Sequence, residues 1–327
     1  MKTFRTELIT QPSPQQVDLN TPILTIGSCF SDSIGNALSD FKFKVLTNPF
    51  GTNFNPLSIH KNLMYAIDNS LPDSDGFVHQ QELWNHYDFH SAFAAISKED
   101  TAQSTQRAIQ QTHHFLSSAR YIIITYGTAW AYQRHDNQQV VANCHKVPSK
   151  QFTKRLLSVE EITDSFNDMF AQLKASYPNI SVILTLSPVR HIKDTLEGNN
   201  ISKAILRVAI NTIIQKHSSV QYFSAYEIMM DDLRDYRFYQ PDMIHPTQEA
   251  IDYIWEKFTD AYCSNATKDF LIKWKSIRTA LHHKPFHSQS ASHQKFLQDT
   301  LHRLNELSEV IDVSAEANLL TSQLLNR

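Results

Sequence analysis

The chain has 327 residues, a formal net charge of −3, 41% hydrophobic and 19% charged residues. That length accommodates one large α/β domain with an appendage, or two small domains. The charge argues against a broad nucleic-acid-binding surface, and no run of the ~18 apolar residues needed for a membrane span occurs.

The first strand signal is the β-branched, apolar run at residues 23–26, followed at once by Gly27-Ser28-Cys29. Residues 31–40 follow as a helix with Ile34, Ala37 and Leu38 on one face. Residues 42–47 then read as a second strand ending at Asn48-Pro49-Phe50-Gly51-Thr52. Residues 57–67 read as helix, 72–76 as a polar turn, and 79–93 as a long ordered loop dense in aromatics and histidine. An amphipathic helix is predicted over 101–116, and residues 120–126 form the clearest strand, closed by Gly127-Thr128. Helix 159–176, strand 180–186, helix 202–217 and strand 220–223 complete the alternation. Pro246 precedes a further helix over 247–262. This rhythm predicts crossover units and a parallel sheet covered on both faces.

Strand signals stop near residue 263, so the expected division is a main domain over 1–263 and a helical extension over 264–327. In the extension a polar, Ser- and His-rich linker at 282–292 leads to a stripe of Phe296, Leu297, Leu301, Leu304 and Ile311. That stripe reads as a helix docked on the main domain, with a contact between copies of the chain as the second reading. Residues 1–8 lack an apolar leader region, and Cys29, Cys144 and Cys263 are too few and scattered for a disulfide framework. Both features predict a cytoplasmic protein.

Glycine usage sharpens the candidate site. Average usage of about 7% would give roughly 23 glycines, whereas the chain has 6. Three of these, Gly27, Gly51 and Gly127, stand at or just past apolar or aromatic runs and begin short strings of small polar residues. In parallel α/β sheets ligands sit beyond the carboxyl ends of the strands, where those turns fall. A hydroxyl or thiol on a strand-to-helix turn is exposed on a rigid element, with leading helix amides at hand for an oxyanion. Far downstream, Asp242 and His245 stand three residues apart in Tyr239-Gln240-Pro241-Asp242-Met243-Ile244-His245. There a carboxylate can orient an imidazole that acts as base.

Plainer readings accompany these. Ser28 also reads as an ordinary helix N-cap, and Cys29 as a small buried hydrophobe. Arg190, His191 and Lys193 follow a strand end, either to hold an anionic substrate group or as a solvated loop. Trp84, Tyr87, Phe89 and Phe93 either line a pocket or pack under the loop. The histidines at 79, 86 and 90, and those at 282, 283, 287 and 293, lack metal-ligand spacing, so no metal or cofactor is expected. Cys144 and His145 are adjacent and would point to opposite faces of a strand, which fits a substrate-loop or structural segment.

The segment Gly27-Ser28-Cys29-Phe30-Ser31 resembles the Gly-Ser-Cys-Phe-Ala signature of the GSCFA domain proteins, grouped with the SGNH (GDSL-type) hydrolases. The resemblance runs over about residues 3–262. It takes in Asn48-Pro49-Phe50-Gly51, Thr125-Tyr126-Gly127-Thr128, Asn143-Cys144-His145-Lys146, Ser187-Pro188-Val189-Arg190-His191 and Arg234 through His245. It implies a three-layer αβα, flavodoxin-like sheet with esterase-type machinery. Carried over by position, Asp242 and His245 fill the base block and Gly51 the second-block oxyanion position.

Two departures stand out. A gapless alignment puts Ser28 in the slot of an aspartate and Cys29 in that of the nucleophile, so either residue is a candidate. The wider group uses serine, while a thiol at a helix N-terminus beside a histidine is expected to have a lowered pKa. The third block reads Gly127-Thr128-Ala129 and lacks its asparagine, leaving Thr128, a backbone amide, Asn53, Asn85 or Asn143 as substitutes.

The resulting expectation is an acyl hydrolase acting on a small-molecule or carbohydrate ester. Its catalytic residues are Ser28 or Cys29 with Asp242 and His245. Oxyanion contacts come from the amides of residues 28–29 and Gly51, with Thr128. Arg190, His191 and Asn143 contact substrate. The rival readings are a non-catalytic binder of a sugar or anionic metabolite, and an acyltransferase using the same residues.

Overall fold

β-branched and aromatic residues dominate the segments that pair at the centre of the molecule. A computed structural model describes residues 5–324. Its first half contains β1 (Ile23–Gly27), α1 (Cys29–Asp40), β2 (Val45–Thr47), α2 (Pro56–Asp68), β3 (Phe77–Gln80), β4 (Leu83–His86), α3 (Lys98–Leu116) and β5 (Tyr121–Tyr126). Next come β6 (Trp130–Arg134), β7 (Val140–Val141), β8 (Phe152–Leu156), α4 (Val159–Ser176), β9 (Ser181–Leu186), α5 (Thr195–Lys216) and β10 (Val220–Phe223). A single turn α6 (Ala225–Glu227) precedes α7 (Gln248–Tyr262), α8 (Asn265–Leu281), α9 (Ala291–Asn305) and α10 (Ser314–Gln323).

Five strands form one parallel sheet in the order β10-β9-β5-β1-β2. Every residue of β1, β5 and β9 is buried, as expected of strands covered on both faces. Alternation along the strands divides the apolar residues into two cores. Ile23, Ile123 and Ile183 face α1, α7 and the C-terminal helices, while Leu24, Ile26, Ile122 and Ile124 face α2 to α5. The α/β fold with a central parallel sheet and a helical C-terminal region is the expected one. The strand order reverses between β1 and β5, which opens a crevice at their carboxyl ends, the usual ligand position in such sheets.

Local chemistry fixes the helix starts. Asn55 caps α2 by accepting from Ser58 N, with Pro56 at the first helical position. Ser158 and Glu161 form a reciprocal capping box on α4. Thr247, Ser264 and Ser290 cap α7, α8 and α9.

The differences from expectation lie in short, half-exposed elements. The loop expected at 79–93 overlaps the antiparallel β3–β4 hairpin, which starts at Phe77. A three-stranded antiparallel sheet, β7-β6-β8, covers one side of the crevice and was not anticipated. The second strand begins at Val45 rather than 42, because Lys42 has φ 66° and Phe43 N closes back on Leu38 O at the end of α1. Helix α5 starts at Thr195, well before 202. Its polar first turns are held by Thr195 Oγ1 on Gly198 N and by Asn199 Oδ1 on His191 N.

The C-terminal helices share the core of the main sheet. Trp274 is 1% exposed and donates from Nε1 to Asp40 O at 2.8 Å. Leu297, Leu304 and Leu320 are buried in the same cluster as Phe41 and Trp255. Of the expected apolar stripe, Leu297 and Leu304 are buried there, and Leu301 and Ile311 pack partly buried against the same cluster. Among the described residues no helix is long and apolar enough to cross a membrane.

Candidate active site

The site begins where β1 ends. Gly27 has φ 135°, and a Cβ on it would stand 2.2 Å from Thr125 O of β5, so only glycine lets the two strand ends close there. Asn48 latches the turn: its Oδ1 accepts from Gly27 N at 3.0 Å and its Nδ2 donates to Asp32 Oδ1 at 3.0 Å. Ser28 then occupies the N-cap position of α1 yet makes no side-chain cap bond. Its Oγ is buried without any hydrogen-bond partner. The plain N-cap reading therefore does not describe this serine. A buried polar atom left unpaired is costly and calls for a functional account.

Ser28, Cys29 and His245 line one cleft of about 770 Å³ at the crevice, together with Thr128, Arg190 and His191. Phe54, Trp130, Tyr132, Val189 and Ile192 supply apolar walls, and β6 and β8 contribute one side. A wider groove of about 900 Å³ beside α7 and α8 is lined by none of the predicted site residues.

Asp242 and His245 sit on a turn joined at both ends, with Gln240 N donating to His245 O and Arg190 N to Ile244 O. His245 Nδ1 lies 2.6 Å from Asp242 Oδ2, and Asp242 Oδ1 accepts the amides of Ile244 and His245. The histidine contact, then those amides, hold the Asp242 carboxyl down at about 2. The arrangement leaves His245 Nε2 as the free ring nitrogen. Neither Ser28 Oγ nor Cys29 Sγ hydrogen-bonds it, so the three groups share a cleft without a closed relay.

Cys29 departs from the expected lowered pKa. Burial raises it first and Asp32 raises it further, against opposing effects of Lys203 and the amides of Cys29 and Phe30. Its resting form at neutral pH is the thiol.

Several expected roles do not fit the geometry. The Gly51 amide donates to Asn48 O at 2.8 Å and is not free for an oxyanion. The Ser28 amide donates to Thr125 O at 3.1 Å, continuing the strand pairing, which leaves the Cys29 amide as the first at the helix start. Thr128 does line the cleft, but its amide donates to Phe54 O and its hydroxyl lies 3.0 Å from Ser202 Oγ while accepting from Trp130 N. Asn143 lies outside the cleft lining, with Oδ1 accepting from His145 N. Asn53 and Asn85 are outside it too.

Trp84, Tyr87, Phe89 and Phe93 do not reach the cleft. Phe89 is 1% exposed and packs against Phe50, Tyr65 and Phe93. His145 Nε2 contacts His86 O at 2.8 Å, and burial pushes the Cys144 thiol up to about 11. Among the described residues no cluster of three His, Cys, Asp or Glu is placed to hold a metal ion.

Arg190 and His191 do face the cleft. The Arg190 guanidinium stands 4.0 Å from the Tyr239 ring centroid and 5.4 Å from that of Tyr236. No carboxylate among the described residues pairs with it. His191 Nδ1 is 3.4 Å from Asp194 Oδ2 without hydrogen-bond geometry, and both ring nitrogens are unpartnered. Burial, then Lys203 and Lys154, lowers its pKa to about 4, so the ring is neutral. Sequence reasoning missed two cations near the site. Lys154 pairs with Asp194 over the Trp130 ring, and Lys203 is buried beneath the strand ends. The aromatic Trp130 and Tyr132, residue types favoured in strands, were the available signal for the wall that carries Trp130.

None of the curated proteins matches the chain. Solved structures similar to it include a Streptococcus pneumonia protein provisionally described as a platelet activating factor. That match has 10% identity and a TM-score of 0.40, over 74% of this chain and 83% of that one. Another is a carbohydrate esterase family 3 protein from Talaromyces cellulolyticus, with 8% identity and a TM-score of 0.36, over 78% of this chain and 99% of that one. The GSCFA family matches residues 22–258, and the C-terminal domain of GSCFA domain proteins matches residues 274–326. With well over half of its length matched, and with the Gly-Ser-Cys-Phe turn at the mouth of the sheet, the chain belongs to the GSCFA family.

Proposed function

We infer that the protein is an SGNH-type acyl hydrolase with Ser28 as nucleophile. The observation that carries this reading is the buried, unpartnered Ser28 hydroxyl at the head of α1, in the same cleft as His245, whose Nδ1 contacts Asp242. The raised pKa of Cys29 favours Ser28 over the neighbouring thiol.

In the first half-reaction His245 Nε2 takes the Ser28 proton as Oγ bonds to the ester carbonyl carbon. The carbonyl electron pair moves to oxygen, and the Cys29 amide at the helix start faces that charge. Collapse breaks the ester bond, and the imidazolium returns its proton to the leaving alcohol. Water then repeats the sequence on the acyl-enzyme and releases the acid. Substrate entry must bring His245 and Ser28 together, since catalytic contacts are often long in empty sites.

The cleft chemistry also suggests the substrate type. Apolar walls suit an acyl chain or a ring, and the carboxylate-free Arg190, with neutral His191 beside it, suits an anionic or hydroxyl-rich group. A binding-only reading draws on the engaged Gly51 amide and the missing third-block asparagine. Acyl transfer to another alcohol uses the same residues.

The test is p-nitrophenyl acetate turnover by wild type, Ser28→Ala, Cys29→Ala and His245→Ala. Loss of His245 is expected to cost about 10²–10⁴ in kcat/KM, as for other general bases. Ser28→Ala is expected to lose at least as much and Cys29→Ala far less. Equal rates for wild type and His245→Ala would overturn the hydrolase reading and leave the binding one.

A further inference from the structure

Helix α5 places one lysine in the interior. Lys203 is 2% exposed, and its Nζ donates to Gly127 O at 2.8 Å and Ser187 O at 2.7 Å. These carbonyls lie just past the ends of β5 and β9, on the rim of the crevice. Two of the three ammonium donors are thereby engaged. No carboxylate among the described residues pairs with it. The ionisable groups facing it are the Cys29 thiol from α1, the His191 ring from the loop after β9, and Tyr226 from α6, whose ring centroid is 5.9 Å away.

A methionine would fill this space without the desolvation cost of a buried, carboxylate-free cation. The position of the charge indicates what it serves. Gly127, whose carbonyl the ammonium grips, lies so close to Ser28 that a Cβ on it would be 3.1 Å from Ser28 Cβ. The ammonium is thus one residue removed from the turn where the hydroxyl and thiol stand. Burial pushes its pKa down to about 7, and only the Cys29 thiolate opposes that trend.

We propose that Lys203 is a positioning residue for the cleft: held on two strand-end carbonyls, its side-chain amine is the buried group that, when protonated, sets a positive charge against the negative charge forming at the Ser28–Cys29 turn. The charge takes the place of a missing oxyanion donor by raising the potential of the whole turn rather than by touching substrate. This rests on the assignment of that turn as the reacting one, but its electrostatic part can be read without catalysis.

The experiment measures alkylation of Cys29 by iodoacetamide against pH, by peptide mass spectrometry, in wild type, Lys203→Gln and Lys203→Met. Cys144 in the same sample is the internal reference. Lys203→Gln keeps a donor for the carbonyls and removes the charge. Both variants are expected to slow Cys29 alkylation about threefold or more near pH 7, where the wild-type amine is still partly charged, with Cys144 unmoved. An unshifted Cys29 profile in folded variants overturns the proposal, as does an equal shift at Cys144. If neither variant folds, the wild type labelled with ¹⁵N-lysine decides. One exchange-protected Nζ resonance is expected to move when Cys29 is alkylated, and no response overturns the proposal. A shifted Cys29 profile in a protein without esterase activity would leave Lys203 in place and sink only the hydrolase reading. Normal turnover in Lys203→Gln would do the reverse.

Discussion

The two glycines at the strand ends separate folding from chemistry. At Gly27 an alanine would have φ 135° and a Cβ 2.2 Å from Thr125 O and 2.9 Å from Thr125 C. Thr125 belongs to β5, buried along its whole length, so its backbone cannot yield. A forced left-handed residue costs about 1–3 kcal/mol, and overpacking adds about 1–3 kcal/mol. Together these give about 4 kcal/mol, a large part of the roughly 5–15 kcal/mol of a typical domain. Gly127→Ala is milder, because its Cβ would stand 3.1 Å from Phe54 O and 3.1 Å from Ser28 Cβ. Its stability cost is expected below about 1 kcal/mol, within the ordinary range for point substitutions. It does push on Ser28, and since a ~1 Å misplacement can cost about 10²-fold, a shift of a few tenths of an ångström predicts roughly a tenfold loss in kcat. Urea unfolding followed by tryptophan fluorescence, beside p-nitrophenyl acetate turnover, reads both effects. Gly27→Ala within about 1 kcal/mol of wild type, or Gly127→Ala with wild-type kcat, would refute the reasoning.

Three further outcomes follow from the same geometry. Arg190→Met is expected to lower kcat/KM for a succinate monoester relative to p-nitrophenyl acetate by about tenfold, one charge-assisted contact; an unaltered ratio removes Arg190 from substrate binding. Trp274→Ala, which empties a 1% exposed site and breaks the bond to Asp40 O, is expected to cost about 3–5 kcal/mol in thermal or urea unfolding. A loss under about 1 kcal/mol would mean that α8 contributes little to the main core. The Asp242 carboxyl, lowered to about 2, is ionised in the folded state above its unfolded value of about 3.9. Its grip on His245 is therefore complete near neutral pH and weakens only as pH falls from about 4 toward about 2. A carboxyl ¹³C titration with a midpoint above about 4 would contradict this.

The buried layers were legible because their residues have no alternative environment. The runs at residues 23–26, 120–126 and 180–186 are apolar throughout, and such strands fit only the middle of a covered sheet. The turn residues Ser28, Asp242 and His245 could be singled out only in combination, because a small polar group after a buried strand is by itself an ordinary helix cap and gains meaning from a carboxylate three residues before an imidazole elsewhere. The β6–β8 sheet escaped notice because its strands are half-exposed and mix Gln, Arg and Lys with Trp and Tyr, which blurs the two-residue period. Gly51 was misread because spacing places a backbone near a site but not the direction of its N–H, which here closes a turn on Asn48. The thiol of Cys29 was expected to be acidic from its helix position, whereas burial outweighs the leading amides. Lys203 carries no signal of its own within the helix expected over 202–217. Its burial depends on two carbonyls from strands 76 and 16 residues away along the chain.

The most direct test is to trap the acyl-enzyme. Rapid quenching after p-nitrophenyl acetate, followed by peptide mass spectrometry, is predicted to find one acetyl group per chain, on Ser28, forming in wild type and suppressed in His245→Ala. Acetyl on another side chain, or on Ser28 at the same rate without His245, would contradict the account.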